Sequence, residues 1–84
     1  MSLIFLSTGW EDYLYWQKTD KKMLKRINEL IKQCKRTPFE GIGKPEPLVG
    51  NLSGWWSRRI DHEHRLVYRC DDDGLYILQC RKHY

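Results

Sequence analysis

The fold is decided by the stretch Arg65-Leu66-Val67-Tyr68-Arg69-Cys70-Asp71-Asp72-Asp73-Gly74-Leu75-Tyr76-Ile77-Leu78-Gln79-Cys80-Arg81. Two runs with many apolar and aromatic residues, Arg65–Cys70 and Leu75–Arg81, flank a turn signal. The turn residues Asp72-Asp73-Gly74 suit a three-residue loop with Gly74 in the left-handed conformation. The pattern therefore predicts two antiparallel strands joined as a hairpin.

The loop length sets the register of this hairpin and hence its two faces. It places residue 71 opposite 75 and Arg65 opposite Arg81, and opposed residues share a face. The face with the two arginines also receives Val67, Arg69, Ile77, Gln79 and His83. The other face receives an apolar set suited to packing against helices: Leu66, Tyr68, Tyr76, Leu78 and Cys80. A four-residue loop would turn one strand over and break this arrangement.

The N-terminal part predicts a strand followed by a helix. Leu3–Leu6 is a short apolar run typical of a buried strand. Thr8 and Glu11 fit a capping box, with Thr8 as the N-cap of the first helix.

A second helix is predicted from about Thr19 or Asp20. Its apolar residues recur at helical spacing and form one stripe: Met23, Leu24, Ile27, Leu30, Ile31 and Cys34. The helix ends before Thr37-Pro38, because the residue before a proline disfavours helical geometry.

The remaining elements complete an α+β prediction. Residues 37–54 hold all three prolines and are predicted to be a loop, and Trp55–Ile60 is predicted to be a strand. The order β-α-α-β-β-β favours an antiparallel sheet with the two helices packed on one face. A length of 84 residues predicts one domain, residues 1–84.

Charge and cysteine content narrow the class of protein. Fifteen Lys and Arg against 11 Asp and Glu give a net charge of +4, which favours an anionic partner. The basic run on the second helix is either a solvated face or a stripe that follows RNA. Three cysteines without metal-ligand spacing, in a chain without a signal peptide, predict reduced thiols in the cytoplasm. No apolar run is long enough to cross a membrane.

Two titratable residues could supply the base and the acid for cleaving RNA. Glu46 lies between Pro45 and Pro47, which favour an extended and stiff segment, and its carboxylate would take the proton of a ribose 2′-OH. His83 lies one residue from the C-terminus, and its imidazole would protonate the departing 5′-oxygen. The simpler interpretations are a surface glutamate in a proline-rich loop and a histidine on a disordered tail.

Cations would hold the phosphate, whose negative charge grows in the transition state. Arg65 is the candidate clamp, because a guanidinium can grip two oxygens; the alternative is pairing with Glu63 or Asp61. Arg59 could assist, and Tyr84 could stack on a base or donate to phosphate. The candidate RNA contacts are Lys44, Arg58, Arg81 and Lys82, although alternation points Arg58 away from the face of Arg59.

The other candidate groups are given no catalytic role. His62 and His64 flank an acidic turn and are predicted not to be catalytic. No His or Cys spacing suggests a metal site, and no cofactor is expected. Alternation puts one of Trp55 and Trp56 in the core and the other outside, where it could stack on RNA or pack on a partner.

Segments along the whole chain resemble the YoeB family of bacterial toxins, within the RelE-like superfamily. They are Trp10-Glu11-Asp12-Tyr13-Leu14-Tyr15-Trp16, Arg36-Thr37-Pro38-Phe39-Glu40-Gly41, Gly43-Lys44-Pro45-Glu46-Pro47-Leu48, Asn51-Leu52-Ser53-Gly54, Trp56-Ser57-Arg58-Arg59-Ile60, Glu63-His64-Arg65-Leu66-Val67-Tyr68 and Cys80-Arg81-Lys82-His83-Tyr84.

The resemblance implies a RelE-like microbial ribonuclease fold and a ribosome-dependent endoribonuclease that cuts mRNA in the 30S A site. It implies that Glu46, Arg65 and His83 act as base, phosphate clamp and acid, with Arg59 and Tyr84 assisting. It also implies a YefM-type antitoxin that wraps the toxin, contact with operator DNA only through that antitoxin, a possible homodimer and no membrane partner.

Three positions depart from the family pattern. A basic residue is expected where Val49 stands and an aromatic one where Lys82 stands. Gly9 stands at a position where the family often has a better N-cap residue, which favours a helix start at Thr8.

Two other functions stay open: a non-catalytic module that blocks the ribosome by occupying it, and a domain whose basic face only holds an acidic peptide.

Overall fold

A computed structural model describes all 84 residues as two helices and a five-stranded sheet. The elements in chain order are β1 (Ser2–Phe5), α1 (Ser7–Thr19), α2 (Lys21–Arg36), β2 (Glu46–Pro47), a short 3-10 turn (Gly50–Leu52), β3 (Trp56–Arg59), β4 (Arg65–Cys70) and β5 (Gly74–Gln79). This confirms the α+β class and the order of the predicted elements. None of the helices has the length and apolar character needed to cross a bilayer.

The sheet is mixed rather than wholly antiparallel, which corrects the prediction. Its strand order is β1-β5-β4-β3-β2, and β1 runs parallel to β5, with Ser2 opposite Gly74 and Phe5 opposite Ile77. The other pairs are antiparallel. A parallel pairing between the first and last strands needs a long crossover, so no local pattern in the sequence reports it.

The loop prediction for residues 37–54 was incomplete, because Glu46–Pro47 forms edge strand β2. Glu46 lies opposite Ser57 and Pro47 opposite Trp56 on β3. A two-residue strand that contains a proline shows no alternation, and proline is tolerated only at such an edge. The strand fixes Glu46 in the extended geometry that the flanking prolines favour.

The second helix was predicted well and the start of the first was not. Asp20 caps α2, since its Oδ1 accepts from the backbone N–H groups of Lys22 and Met23, and α2 ends at Arg36 as expected. Helix α1 begins at Ser7 with Leu6 at its N-cap and no side-chain cap, so the Thr8 capping box was wrong. Its start is set by the sheet, because the Leu6 N–H donates to the Ile77 carbonyl at 2.9 Å.

The core lies between the helices and the sheet. Its eleven buried residues come from both helices and the central strands: Trp16, Ile27, Leu30, Ile31, Cys34, Ile60, Leu66, Tyr68, Leu75, Ile77 and Cys80. Four members of the predicted stripe of α2 are buried here, while Met23 and Leu24 pack at the margin. The apolar stripe therefore supplies the burial that holds both helices on one face of the sheet.

The hairpin has a two-residue turn and a bulge, which the sequence did not predict. The Asp71 N–H donates to the Gly74 carbonyl at 3.0 Å, which leaves Asp72 and Asp73 in the turn. Cys70 lies opposite Leu75, and the register then shifts so that Tyr68 opposes Ile77 while Val67 opposes Gln79. Leu78 is the extra residue of the bulge. Gly74 has no positive φ; it lies in β5, where a Cβ would meet the Ser2 carbonyl oxygen at 2.5 Å.

The bulge explains which of the predicted faces are right. Near the turn the predicted faces of β5 are reversed, while those of β4 are as predicted. Ile77 is in the core, and Tyr76 lies opposite Arg69 on the face that the helices do not cover, called the open face below. Past the bulge the predicted register returns, because the extra residue in β5 compensates for a turn that is one residue shorter than predicted. Val67, Gln79 and the first residue of β4 therefore lie on the open face. This end of the hairpin carries the candidate site.

Candidate active site

Strand register assembles one row of side chains across the open face of the sheet. Glu46 is opposite Ser57, Ser57 is opposite Val67, and Val67 is opposite Gln79. Directly opposed residues in an antiparallel pair have Cβ atoms about 4.5–5.5 Å apart. The exposed carboxylate of Glu46 therefore starts a continuous row that runs from the sheet edge to β5.

Two arginines form the next row on this face. Arg59 and Arg65 are opposite each other on β3 and β4, two residues along from Ser57 and Val67. Arg59 is exposed, while half-buried Arg65 donates from Nη1 to the carbonyls of Asp61 at 2.7 Å and His64 at 3.1 Å. Arg65 therefore binds backbone oxygens rather than the carboxylates of Asp61 or Glu63.

The charge of these arginines is not neutralised within the molecule. No Lys or Arg nitrogen lies within 4.0 Å of a carboxylate oxygen. The one contact within that distance between a basic side chain and a carboxylate involves a histidine, and it joins His64 to Glu63 at 3.7 Å. Like charges directly opposite each other in a sheet are destabilising. An anion bound between Arg59 and Arg65 would relieve this repulsion, so the pair can hold a phosphate.

The C-terminal tail, residues 80–84, is fixed at its first residue by α1. Cys80 donates its backbone N–H to Asp12 Oδ2 at 3.0 Å and accepts from Trp16 Nε1 at 2.8 Å. Gln79 Nε2 lies 3.3 Å from the Arg81 carbonyl and 3.5 Å from that of His83. The tail is therefore hydrogen-bonded both to α1 and to the side chain of Gln79.

The last two residues fold back over the open face. The Tyr84 hydroxyl lies 3.3 Å from Ser57 Oγ, and Ser57 is the residue directly opposite Glu46. The exposed ring of His83 lies beside that of Tyr84, with centroids 4.7 Å apart. The structure thus brings Glu46, Arg59, Arg65, His83 and Tyr84 to one face of the sheet.

Arg58 is not part of this face, and the prediction that it contacts RNA was wrong. Its side chain is fully buried and donates to three backbone carbonyls, those of Thr37, Glu40 and Ile42. Its Nε also donates to the Tyr68 hydroxyl at 3.1 Å. Alternation along β3 sends it toward the helices, where it fastens the loop that follows α2.

The other predicted RNA contacts surround the site. Lys44 is exposed with a φ of 49°, just before the segment that holds Glu46. Arg81 has its guanidinium 3.7 Å from the centroid of the Tyr15 ring, and exposed Lys82 has a φ of 66°. A non-glycine residue at positive φ is uncommon, so both lysines mark turns that the surrounding contacts maintain.

A pocket of about 250 Å³ opens beside the tail and has no hydrophobic lining. Its walls are Thr8, Asp12, Gln79, Arg81, Lys82 and His83. Burial raises the pKa of Asp12, while the Cys80 N–H and the charge of Arg81 act in the opposite direction. The pocket is therefore a polar cavity beside His83.

Sequence reasoning missed several groups that build the site. Ser57 and Gln79 contact the tail, and Trp16 anchors it from α1. Neutral side chains that bind backbone have no charge pattern, so the sequence offers no signal for them beyond the alternation of β3 and β5.

Trp56 packs against the core and Trp55 lies on the open face below Arg69, as alternation predicts. No group of three or more His, Cys, Asp or Glu comes together as a metal site.

Comparison with known proteins points to one family. Residues 5–84 match the family model described as a YoeB-like toxin of bacterial type II toxin–antitoxin systems. The chain is 66% identical to Toxin YoeB of Escherichia coli K12 over 84 residues, which cover 100% of both chains.

Solved structures agree with the sequence match. A YoeB/ParE toxin from Agrobacterium tumefaciens superposes with a TM-score of 0.95 at 52% identity, covering 100% of both chains. The YoeB of Staphylococcus aureus has been solved as a dimer and in a heterotetrameric complex with YefM. These chains match at 53% identity with TM-scores of 0.94 and 0.92, covering 100% of this chain and 98% of theirs.

Proposed function

The chain belongs to the YoeB family of toxins from bacterial type II toxin–antitoxin systems, and from this premise we propose that it is a ribosome-dependent endoribonuclease. It cuts mRNA in the A site of the 30S subunit and so stops translation. The bond is broken by transesterification from the ribose 2′-OH, with every chemical role supplied by side chains.

One observation carries this proposal. A carboxylate, two guanidinium groups without ion-pair partners, and a tail that ends in imidazole and phenol lie on one open face, although they are far apart in the chain. A module that only binds RNA needs the cations and has no use for an acid and a base. The arrangement therefore favours cleavage over occupancy.

The first half of the reaction takes place at the sheet. The carboxylate of Glu46 accepts the proton of the 2′-OH, and the 2′-oxygen attacks the adjacent phosphorus. Arg59 and Arg65 hold the nonbridging oxygens, whose charge increases as the pentavalent state forms. Because β2 fixes the backbone of Glu46, the base loses little conformational freedom when the substrate binds.

The second half takes place at the tail. The bond from phosphorus to the 5′-oxygen breaks, and protonated His83 gives its proton to that oxygen. The products are a 2′,3′-cyclic phosphate and a 5′-hydroxyl end. Tyr84 donates a hydrogen bond to phosphate or stacks on a base, and Lys44, Arg81 and Lys82 contact the flanking backbone.

Solved structures of relatives support the proposal of two protein partners. Because the Staphylococcus aureus protein has been solved both as a dimer and with YefM, we infer a YefM-type antitoxin and a homodimer for this chain. Operator DNA is reached only through the antitoxin. The toxin acts in the cytoplasm, where ribosomes translate.

The test is to map new RNA ends on ribosome-bound message after adding the purified protein. Glu46→Ala and His83→Gln should each reduce cleavage by at least about 100-fold, because each removes a proton-transfer group worth roughly 10²–10⁴. Exposed Glu29→Ala and His62→Gln serve as matched controls that keep full activity. The new 5′ fragments should end in a cyclic phosphate.

A message with 2′-deoxyribose just before the cut should be inert, and its cleavage would refute the 2′-OH mechanism. Ribosome arrest without new RNA ends, equally strong in the Glu46 and His83 variants, would show a non-catalytic inhibitor instead. Growth that is unaffected by expression without the antitoxin would point to a domain that only binds peptide.

A further inference from the structure

His64 lies behind the tail, between α1 and the start of β4. Its side chain is only 13% exposed, and its ring meets the edge of Trp16 with centroids 4.9 Å apart and planes at 80°. Trp16 is the same residue that binds the Cys80 carbonyl. His64 therefore belongs to the support of the tail, although its sequence context gave it no role.

The hydrogen bond made by this ring determines its tautomer. The backbone N–H of Lys82 donates to His64 Nδ1 at 2.7 Å. A nitrogen that accepts a hydrogen bond carries no proton, so the ring is neutral with its hydrogen on Nε2. That hydrogen faces Glu63, whose Oε1 lies 3.7 Å from Nε2.

Lys82 is the turning point of the tail. Its φ of 66° is a left-handed conformation that an L-residue rarely adopts. His64, just before β4, and Arg65, the first residue of β4, hold both of its backbone polar groups. His64 binds the N–H, and the Arg65 N–H donates to the Lys82 carbonyl at 3.1 Å. This turn sends the chain back over the open face, where His83 and Tyr84 lie.

We propose that His64 is a positioning residue, which places His83 by holding Lys82 in its left-handed turn through Nδ1 of a neutral imidazole. The role rests on the proposed endoribonuclease function and adds a residue that does not itself touch the RNA. Its effect falls on the chemical step, because a displaced acid lowers kcat while the arginines still bind phosphate.

Two substitutions separate this role from simple packing. The side-chain oxygen of Asn occupies nearly the place of Nδ1 and can accept from Lys82, whereas the amide of Gln reaches the place of Nε2. His64→Asn should therefore keep kcat within about threefold of the parent. His64→Gln should lower kcat by roughly 10- to 100-fold with KM little changed. His62→Gln, in the same turn and exposed, is the control.

Two measurements need no RNA and so test the role apart from the proposed function. Long-range proton–nitrogen NMR of the parent protein should show His64 with its proton on Nε2. Backbone nitrogen relaxation should show the amides of residues 82–84 rigid in the parent and in His64→Asn, and mobile in His64→Gln.

Three results would overturn the proposal. They are a proton on Nδ1 of His64, equal kcat in the Asn and Gln variants, or an equally rigid tail in both. If the parent protein cuts no message while the NMR results stand, then the endoribonuclease assignment fails and the tail support remains.

Discussion

At the scale of single residues, Arg58 and Arg59 show how alternation along β3 places identical side chains on opposite faces of the sheet. Arg58 is fully buried and binds three loop carbonyls and the Tyr68 hydroxyl. Arg59 is exposed and faces Arg65 across the open side of the sheet. The first stabilises the fold and the second serves the candidate site.

Replacing Arg58 with Met should therefore lower the free energy of unfolding by about 3–5 kcal/mol. The loss arises because three buried carbonyls and a hydroxyl would be left without this donor, and a buried polar group without a partner costs about 1–3 kcal/mol. Urea denaturation at pH 7 measures the change. The matched variant, Arg59→Met, should alter stability by less than about 0.5 kcal/mol while lowering cleavage. Equal stability losses at the two positions would contradict the assignment.

At the scale of elements, α1 lies very close to β5. A Cβ built on Gly9 would lie 2.5 Å from the backbone carbonyl oxygen of Ile77, although the φ of Gly9 is ordinary. The helix can rest this closely on the sheet only because residue 9 has no side chain. The glycine is thus a packing residue, not a helix cap.

Gly9→Ala should consequently destabilise the protein by about 1–3 kcal/mol, although alanine is the better helix former. The helix must move away from β5, and that shift strains the Trp16 and Asp12 contacts to the tail. Thr8→Ala is the control, since Thr8 is exposed and makes no cap, and it should change stability by less than about 0.5 kcal/mol. Thermal unfolding of the two variants distinguishes these results.

At the scale of the whole molecule, the three free thiols differ in how far the fold buries them. Cys34 on α2 and Cys80 on the tail are fully buried, whereas Cys70 is partly exposed. Burial raises the pKa of Cys34 to about 11, and burial together with the Asp12 charge raises the pKa of Cys80 to about 12. Both thiols are therefore protonated at neutral pH, and thiols react as thiolates.

In the native protein at pH 8, iodoacetamide should therefore modify Cys70 first and alkylate Cys34 and Cys80 only slowly. At a pKa of 11, roughly one thiol in a thousand is ionised at this pH. Mass spectrometry of the intact protein and its peptides follows each site, and 8 M urea should make the three rates similar. Fast native labelling of Cys80 would mean that the tail detaches from α1.

Local sequence signals predicted what depends on near neighbours in the chain. Asp20 and Thr37-Pro38 set the ends of α2, the apolar stripe chose its buried face, and turn residues separated β4 from β5. The side-chain chemistry of Glu46, Arg65 and His83 was enough to suggest a base, a phosphate clamp and an acid, in that order. These features need only propensity, periodicity and side-chain chemistry.

Tertiary structure decided how those pieces meet. The parallel pairing of β1 with β5, the edge strand at Glu46 and the bulge at Leu78 all depend on partners distant in sequence. Whether Arg58 or Arg59 faced the site, and whether His64 supported the tail, depended on strand register. Register is a property of paired strands, since one extra residue moves every following side chain to the other face.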